Sequence, residues 1–99
     1  MLVGHSHVPL AISLEGDALD GGLAAAGTET ALAGKRWLLN PGSVGQPRDG
    51  DPRAAWLLLD LAGGRAEHRR VEYELARTQE EMRERRLPDP LAERLAHGI

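Results

Sequence analysis

The run Ala54-Ala55-Trp56-Leu57-Leu58-Leu59 is the longest unbroken apolar stretch of the chain and the feature that most restricts its fold. An apolar run bounded by turn residues predicts a strand over 54–61, buried on both faces. The run is far too short to cross a bilayer, so no membrane partner is expected. Gly63-Gly64 follows closely and predicts a tight hairpin. The return strand is expected over 65–74, where Val71 and Tyr73 alternate with Glu72 and Glu74.

Upstream, strands are expected over 1–4, 8–14 and 36–40. Pro9 marks the second as an edge strand, and Asn40-Pro41-Gly42 ends the third in a turn. Gly16, Gly21, Gly22, Gly27 and Gly34 punctuate the segment between them. It reads as loops and turns with one short strand near Thr28 to Leu32. After residue 74 the periodicity changes. Thr78 with Glu81 forms a capping-box pattern, and Arg83, Arg85 and Arg86 suit the end of a helix over 75–86. Leu87-Pro88 stops it. Asp89 as cap and Pro90 as first helical residue open a second helix over 90–97, closed by Gly98. The expected class is α/β (α+β in isolation): a mostly antiparallel sheet of about four strands with two C-terminal helices. Residues 1–99 read as a single partial domain.

A chain of 99 residues affords one small domain. Its only aromatic residues are Trp37, Trp56 and Tyr73, so Leu, Ala and Val must build the core around two tryptophans packed between strands. There is no cysteine, which excludes disulfides, thiolate metal sites and cysteine nucleophiles. A metal here must use nitrogen and oxygen donors. The net charge of −3 speaks against a nucleic-acid partner. No secretory or transit pattern opens the chain, which makes the cytoplasm the default expectation.

Two constellations carry chemistry. In Gly4-His5-Ser6-His7, imidazoles at i and i+2 of an extended segment point to one side. They can chelate one ion, or each reach one of a close pair; the competing reading is two solvent-facing loop histidines. In Asn40-Pro41-Gly42-Ser43-Val44-Gly45-Gln46-Pro47-Arg48, Asn40 can cap the turn and Gly42 can take a positive φ. Its exposed N–H groups can receive an anion and Arg48 can clamp a phosphate. The competing reading is a turn-rich linker in which Arg48 or Arg53 pairs with Asp49 or Asp51. His68 and His97 read as surface residues, and the charges of Glu80 to Arg86 as a solvated helix face.

Taken together, Gly4-His5-Ser6-His7-Val8-Pro9 and the downstream Asn40 to Arg48 segment resemble the C-terminal portion of the calcineurin-like metallophosphoesterases, most closely their small bacterial phosphodiesterase type. The resemblance implies part of a four-layer αββα sandwich whose paired divalent metals (manganese, iron, zinc or nickel) activate water against a phosphomonoester or phosphodiester. It implies His5 as ligand of one metal and His7 of the other. Asn40, Ser43 and Arg48 would be substrate contacts. The family's remaining ligands, an Asp-x-His pair, a second Asp, an Asn-His pair and a further His, have no counterpart here. Hydrolysis by these residues alone is therefore not expected. A missing N-terminal segment or a partner chain would supply the rest, and apolar surface would stand uncovered. The rival readings are a non-catalytic remnant or interaction module that folds by homo-oligomerisation or with a partner, and a small module holding one metal.

Overall fold

A computed structural model describes Met1–Ile99. Six strands run over Leu10–Glu15 (β1), Ala18–Leu23 (β2), Glu29–Ala31 (β3), Arg36–Asn40 (β4), Ala54–Asp60 (β5) and Arg65–Val71 (β6), followed by helices Leu75–Glu84 (α1) and Asp89–His97 (α2). All strand pairs are antiparallel, giving an α+β fold. The strands divide into two three-stranded sheets, ordered β2-β1-β4 and β3-β6-β5, so β1 is a central strand and not the edge strand expected from Pro9, which lies just before it.

The segment expected to be loops contains a full strand. Gly16-Asp17 turns the chain, and β2 pairs along the whole of β1 from Leu10↔Leu23 to Glu15↔Ala18. Its sequence, Ala-Leu-Asp-Gly-Gly-Leu, has no alternation and is almost wholly exposed. Backbone pairing, not burial, holds it in place, so hydrophobic periodicity gave no signal. Residues 1–4 form no strand. Leu2 makes one isolated parallel bridge to Leu39, with Val3 N–H donating to the Leu39 carbonyl at 2.9 Å.

The long apolar strand also differs from expectation. β5 lies at the edge of its sheet, and Leu58 and Leu61 are exposed. Its hairpin with β6 forms in register Asp60↔Arg65, and the Asp60 carboxylate accepts the Gly63 N–H at 2.9 Å. Trp37 and Trp56 are half-buried, with the Arg69 guanidinium 5.3 Å above the Trp56 ring. In α1 the capping box is absent because Thr78 already lies inside the helix, which starts at Leu75 without a side-chain cap. Pro88 is the cap residue of α2, so that helix begins at Asp89, one residue early.

Burial is sparse. Only 14 of 99 residues are buried, and the apolar ones are five alanines with Leu39 and Leu95. The Cα radius of gyration is 15.6 Å, against roughly 13 Å for a compact chain of this length. Polar clamps make up part of the difference. Arg70 of β6, its side chain 4% exposed, donates to the carbonyls of Arg53 at 2.9 Å and Asp51 at 3.3 Å, and pairs with the Asp49 carboxylate. Gly50 N–H donates to the Gly98 carbonyl at 2.9 Å, docking the end of α2 on the same loop. Gly98 has φ +64°, and a Cβ there would meet the Asp51 nitrogen at 2.6 Å, so only glycine fits.

Asp51 accepts Arg53 Nη2 at 2.7 Å and the Arg53 N–H at 3.0 Å. The Arg53 side-chain hydrogen bond, helped by the Arg53 N–H and the Arg70 charge, lowers the Asp51 pKa from 3.8 to about 2 against the opposing pull of burial. The folded pKa is depressed, so this stabilisation is complete above about pH 4 and is lost as pH falls through about 2. Asp51→Asn is expected to lower thermal stability by about 1–2 kcal/mol at pH 7, allowing for partial exposure. The deficit should close near pH 2. Equal melting midpoints at pH 7 would refute the clamp.

Candidate metal centre

The chain turns sharply on leaving β4 and on entering β1, and both histidines lie in the second of these bends. His7 N–H donates to the Gly4 carbonyl at 3.2 Å, so His5 and Ser6 are the central residues of a turn. His7 itself has φ +58°, one of two non-glycine residues with a positive φ. The segment is therefore not extended, and the i, i+2 argument fails here. The bend is required because the chain leaves its parallel bridge beside β4 and must join β1, which runs antiparallel to β4. Gly4 and Ser6 permit it.

The two sequence constellations are zipped together by hydrogen bonds. Asn40, 1% exposed at the end of β4, donates from Nδ2 to Ser6 Oγ at 2.9 Å and accepts the Gly42 N–H on Oδ1 at 2.9 Å. One carboxamide thus fixes both bends. His7 Nδ1 lies 2.9 Å from the Gln46 carbonyl, and the Arg48 N–H donates to the His7 carbonyl at 3.2 Å. A carbonyl only accepts, so Nδ1 carries a proton, and in the neutral ring that tautomer puts the lone pair on Nε2. That is the arrangement in which an outer carbonyl orients a histidine for a metal. His5 is exposed and makes no side-chain hydrogen bond.

Gly42 has φ +89°, as its place after Asn40-Pro41 led one to expect, and a Cβ there would meet Ala55 Cβ at 2.7 Å and Pro9 Cγ at 2.8 Å. Ser43 Oγ accepts the Gln46 N–H at 2.9 Å, and the Ser43 carbonyl takes the Ala55 N–H at 2.9 Å, joining the loop to β5. Arg48 is exposed and donates to Gln46 Oε1 at 3.3 Å, leaving most of its donors free. Arg53 pairs with Asp51, so an anchored loop and internal ion pairing coexist. His97 is exposed. His68 is not the surface residue expected: it is 2% exposed, with Nε2 3.0 Å from the Asn40 carbonyl. Its neighbours Arg69 and Arg70 masked it, since a lone histidine among charges reads as solvated. Ser6 and Gln46 were also missed, because their roles depend on contacts between distant loops.

The donor set suits a divalent cation in type but not in number. Two imidazoles are present, and no group of three or more His, Asp or Glu side chains converges anywhere. Against known proteins, no protein-family model matches the chain. An uncharacterized protein of Methanocaldococcus jannaschii is 41% identical over 98 residues, covering 99% of this chain and 39% of that protein. The crystal structure of a metallophosphoesterase from Sphaerobacter thermophilus superposes with a TM-score of 0.89 at 43% identity, over 99% of this chain and 41% of that one. This chain has the fold of a metallophosphoesterase portion. It spans about two fifths of the length of the relatives it matches.

Replacing Asn40 with Ala should cost about 1–3 kcal/mol, the range for stripping partners from buried polar groups. It should also expose the Gly42 amide to faster hydrogen exchange. An unchanged Gly42 exchange rate would show that the carboxamide does not tie the bends.

Proposed function

We propose that this chain contributes His5 and His7 to the metal centre of a metal-dependent phosphoesterase, one that hydrolyses a phosphomonoester or phosphodiester. The single observation that carries the reading is His7: its Nδ1 is held by the Gln46 carbonyl, which leaves Nε2 free to ligate. The match of this chain to 41% of the S. thermophilus metallophosphoesterase supports the reaction class. When bound, divalent ions supply a Lewis acid and a nucleophilic water. The chain's own residues do the rest of what is proposed. His5 and His7 donate nitrogen, and Asn40 keeps their bend rigid. Arg48, exposed beside the His7 carbonyl, offers a guanidinium to a phosphate oxygen, and the Ser43 hydroxyl lies in the same loop. Asn40 has both ends of its carboxamide occupied, so its proposed role shifts from substrate contact to support.

Two imidazoles hold an ion weakly and bridge no second one. The 99 residues alone are therefore expected to hydrolyse no phosphate ester, the remaining ligands coming from another segment or chain. The test is a chimera in which residues 1–99 replace the matching part of the S. thermophilus metallophosphoesterase. Manganese-dependent hydrolysis of bis(p-nitrophenyl) phosphate is expected, falling at least about 100-fold on His7→Ala. A folded chimera that is inactive, or indifferent to His7→Ala, would overturn the assignment.

A second reading has an observation of its own. Twelve large apolar side chains are more than a third exposed, among them Met1, Leu2 and Leu61 around a groove of about 250 Å³ with Trp37 and Leu39. That surface favours an association module, as a homo-oligomer or with a partner chain. Sedimentation separates the cases. A stable oligomer without phosphoesterase activity in the chimera supports the module, and a monomer at micromolar concentration counts against it.

A further inference from the structure

We propose that His68 is a positioning residue for the histidine bend, acting through the backbone of Asn40. The proposal rests on the reading of His5 and His7 as metal ligands.

His68 stands in the middle of β6, opposite Leu57, with its backbone bonded to Gly27 and Thr28 on the other side. Its imidazole leaves that sheet and reaches the other one. Nε2 meets the Asn40 carbonyl at 3.0 Å, so the proton is on Nε2. Nδ1 is buried and has no partner. A buried polar atom left unsatisfied is costly, and leucine or phenylalanine would fill such a place without that cost. The ring is explained by what its other nitrogen does.

The Asn40 carbonyl is a special acceptor. The next residue is Pro41, so the Asn40–Pro41 peptide has no N–H with which to fix itself. Asn40 is the last residue of β4, paired with Leu10 of β1, so the ladder ends here and the chain leaves the sheet at Pro41. His68 adds a donor from the other sheet to a carbonyl whose backbone is otherwise held only by its pairing with Leu10. The orientation of the Asn40–Pro41 peptide plane sets the Asn40 side chain, which in turn holds Ser6, between the two proposed ligands, and Gly42. A continuous hydrogen-bonded path therefore runs from β6 to the His5-Ser6-His7 bend. His68 approaches neither ligand directly. Removing its donor should loosen the bend without touching a donor nitrogen.

The experiment uses the full 99-residue chain with Ni²⁺ as probe and three variants. His68→Leu removes the donor at similar volume. His68→Gln restores an N–H donor. Leu57→Ala destabilises the facing position of the same hairpin without lying on the path. Two readouts are taken: Ni²⁺ dissociation constants by calorimetric titration, and exchange rates of the Gly42 amide without metal. His68→Leu is expected to weaken Ni²⁺ binding about 10-fold and to speed Gly42 exchange by a similar factor, in line with loss of an outer-shell support. His68→Gln should recover part of both. Leu57→Ala should change neither beyond what its loss of global stability dictates. Wild-type affinity and wild-type Gly42 exchange in His68→Leu, or effects matched by Leu57→Ala, would overturn the proposal. If the wild-type chain alone binds no Ni²⁺, the chimera decides the ligand assignment, and the Gly42 exchange rates still decide whether His68 holds the bend.

Discussion

The fold around the two histidines of the first bend depends on one carboxamide. Asn40 is buried, and a buried amide must have both ends satisfied or destabilise the chain. Here the two ends are satisfied in two different loops, Ser6 on one side and Gly42 on the other. The requirement to satisfy a single side chain thereby becomes a requirement that the loops keep one relative placement. The bonds between His7 and the Gln46–Arg48 stretch presuppose that placement. Two segments far apart in sequence become one rigid corner.

The surrounding scaffold relies on directional contacts more than on volume. Its buried apolar residues are mostly alanines, which interlock backbones closely but remove little surface from water. Arg70 compensates by gathering the acidic loop onto β6, and Gly98 brings α2 against the same loop. The loop that bears Ser43 and Arg48 is therefore held at both ends, by β4 and by this arginine. Long loops seldom stay in place without such anchors.

The sequence was informative where local chemistry decides. The hairpin after β5, the break at Leu87-Pro88, the positive φ of Gly42 and the glycine at the end of α2 follow from residue type alone. It misled where a distant partner decides. Ala18 to Leu23 has no strand pattern of its own and becomes a strand only against β1. Thr78 has the spacing of a cap, but the chain enters α1 three residues earlier. Both proposed ligands were visible by residue type. Their geometry was not, because Gly4 to His7 bends to meet a loop more than thirty residues downstream. His68 was hidden altogether, since nothing adjacent to it signals a contact across sheets.

One conformational detail has wider meaning. His7 occupies a left-handed backbone geometry that costs a residue with a Cβ about 1 kcal/mol, whereas glycine would rest there at ease. The chain thus tolerates local tension at the residue whose Nδ1 is held by the Gln46 carbonyl. His7→Gly would ease the backbone while removing the imidazole proposed as a donor, so backbone comfort and donor supply are opposed at this one position.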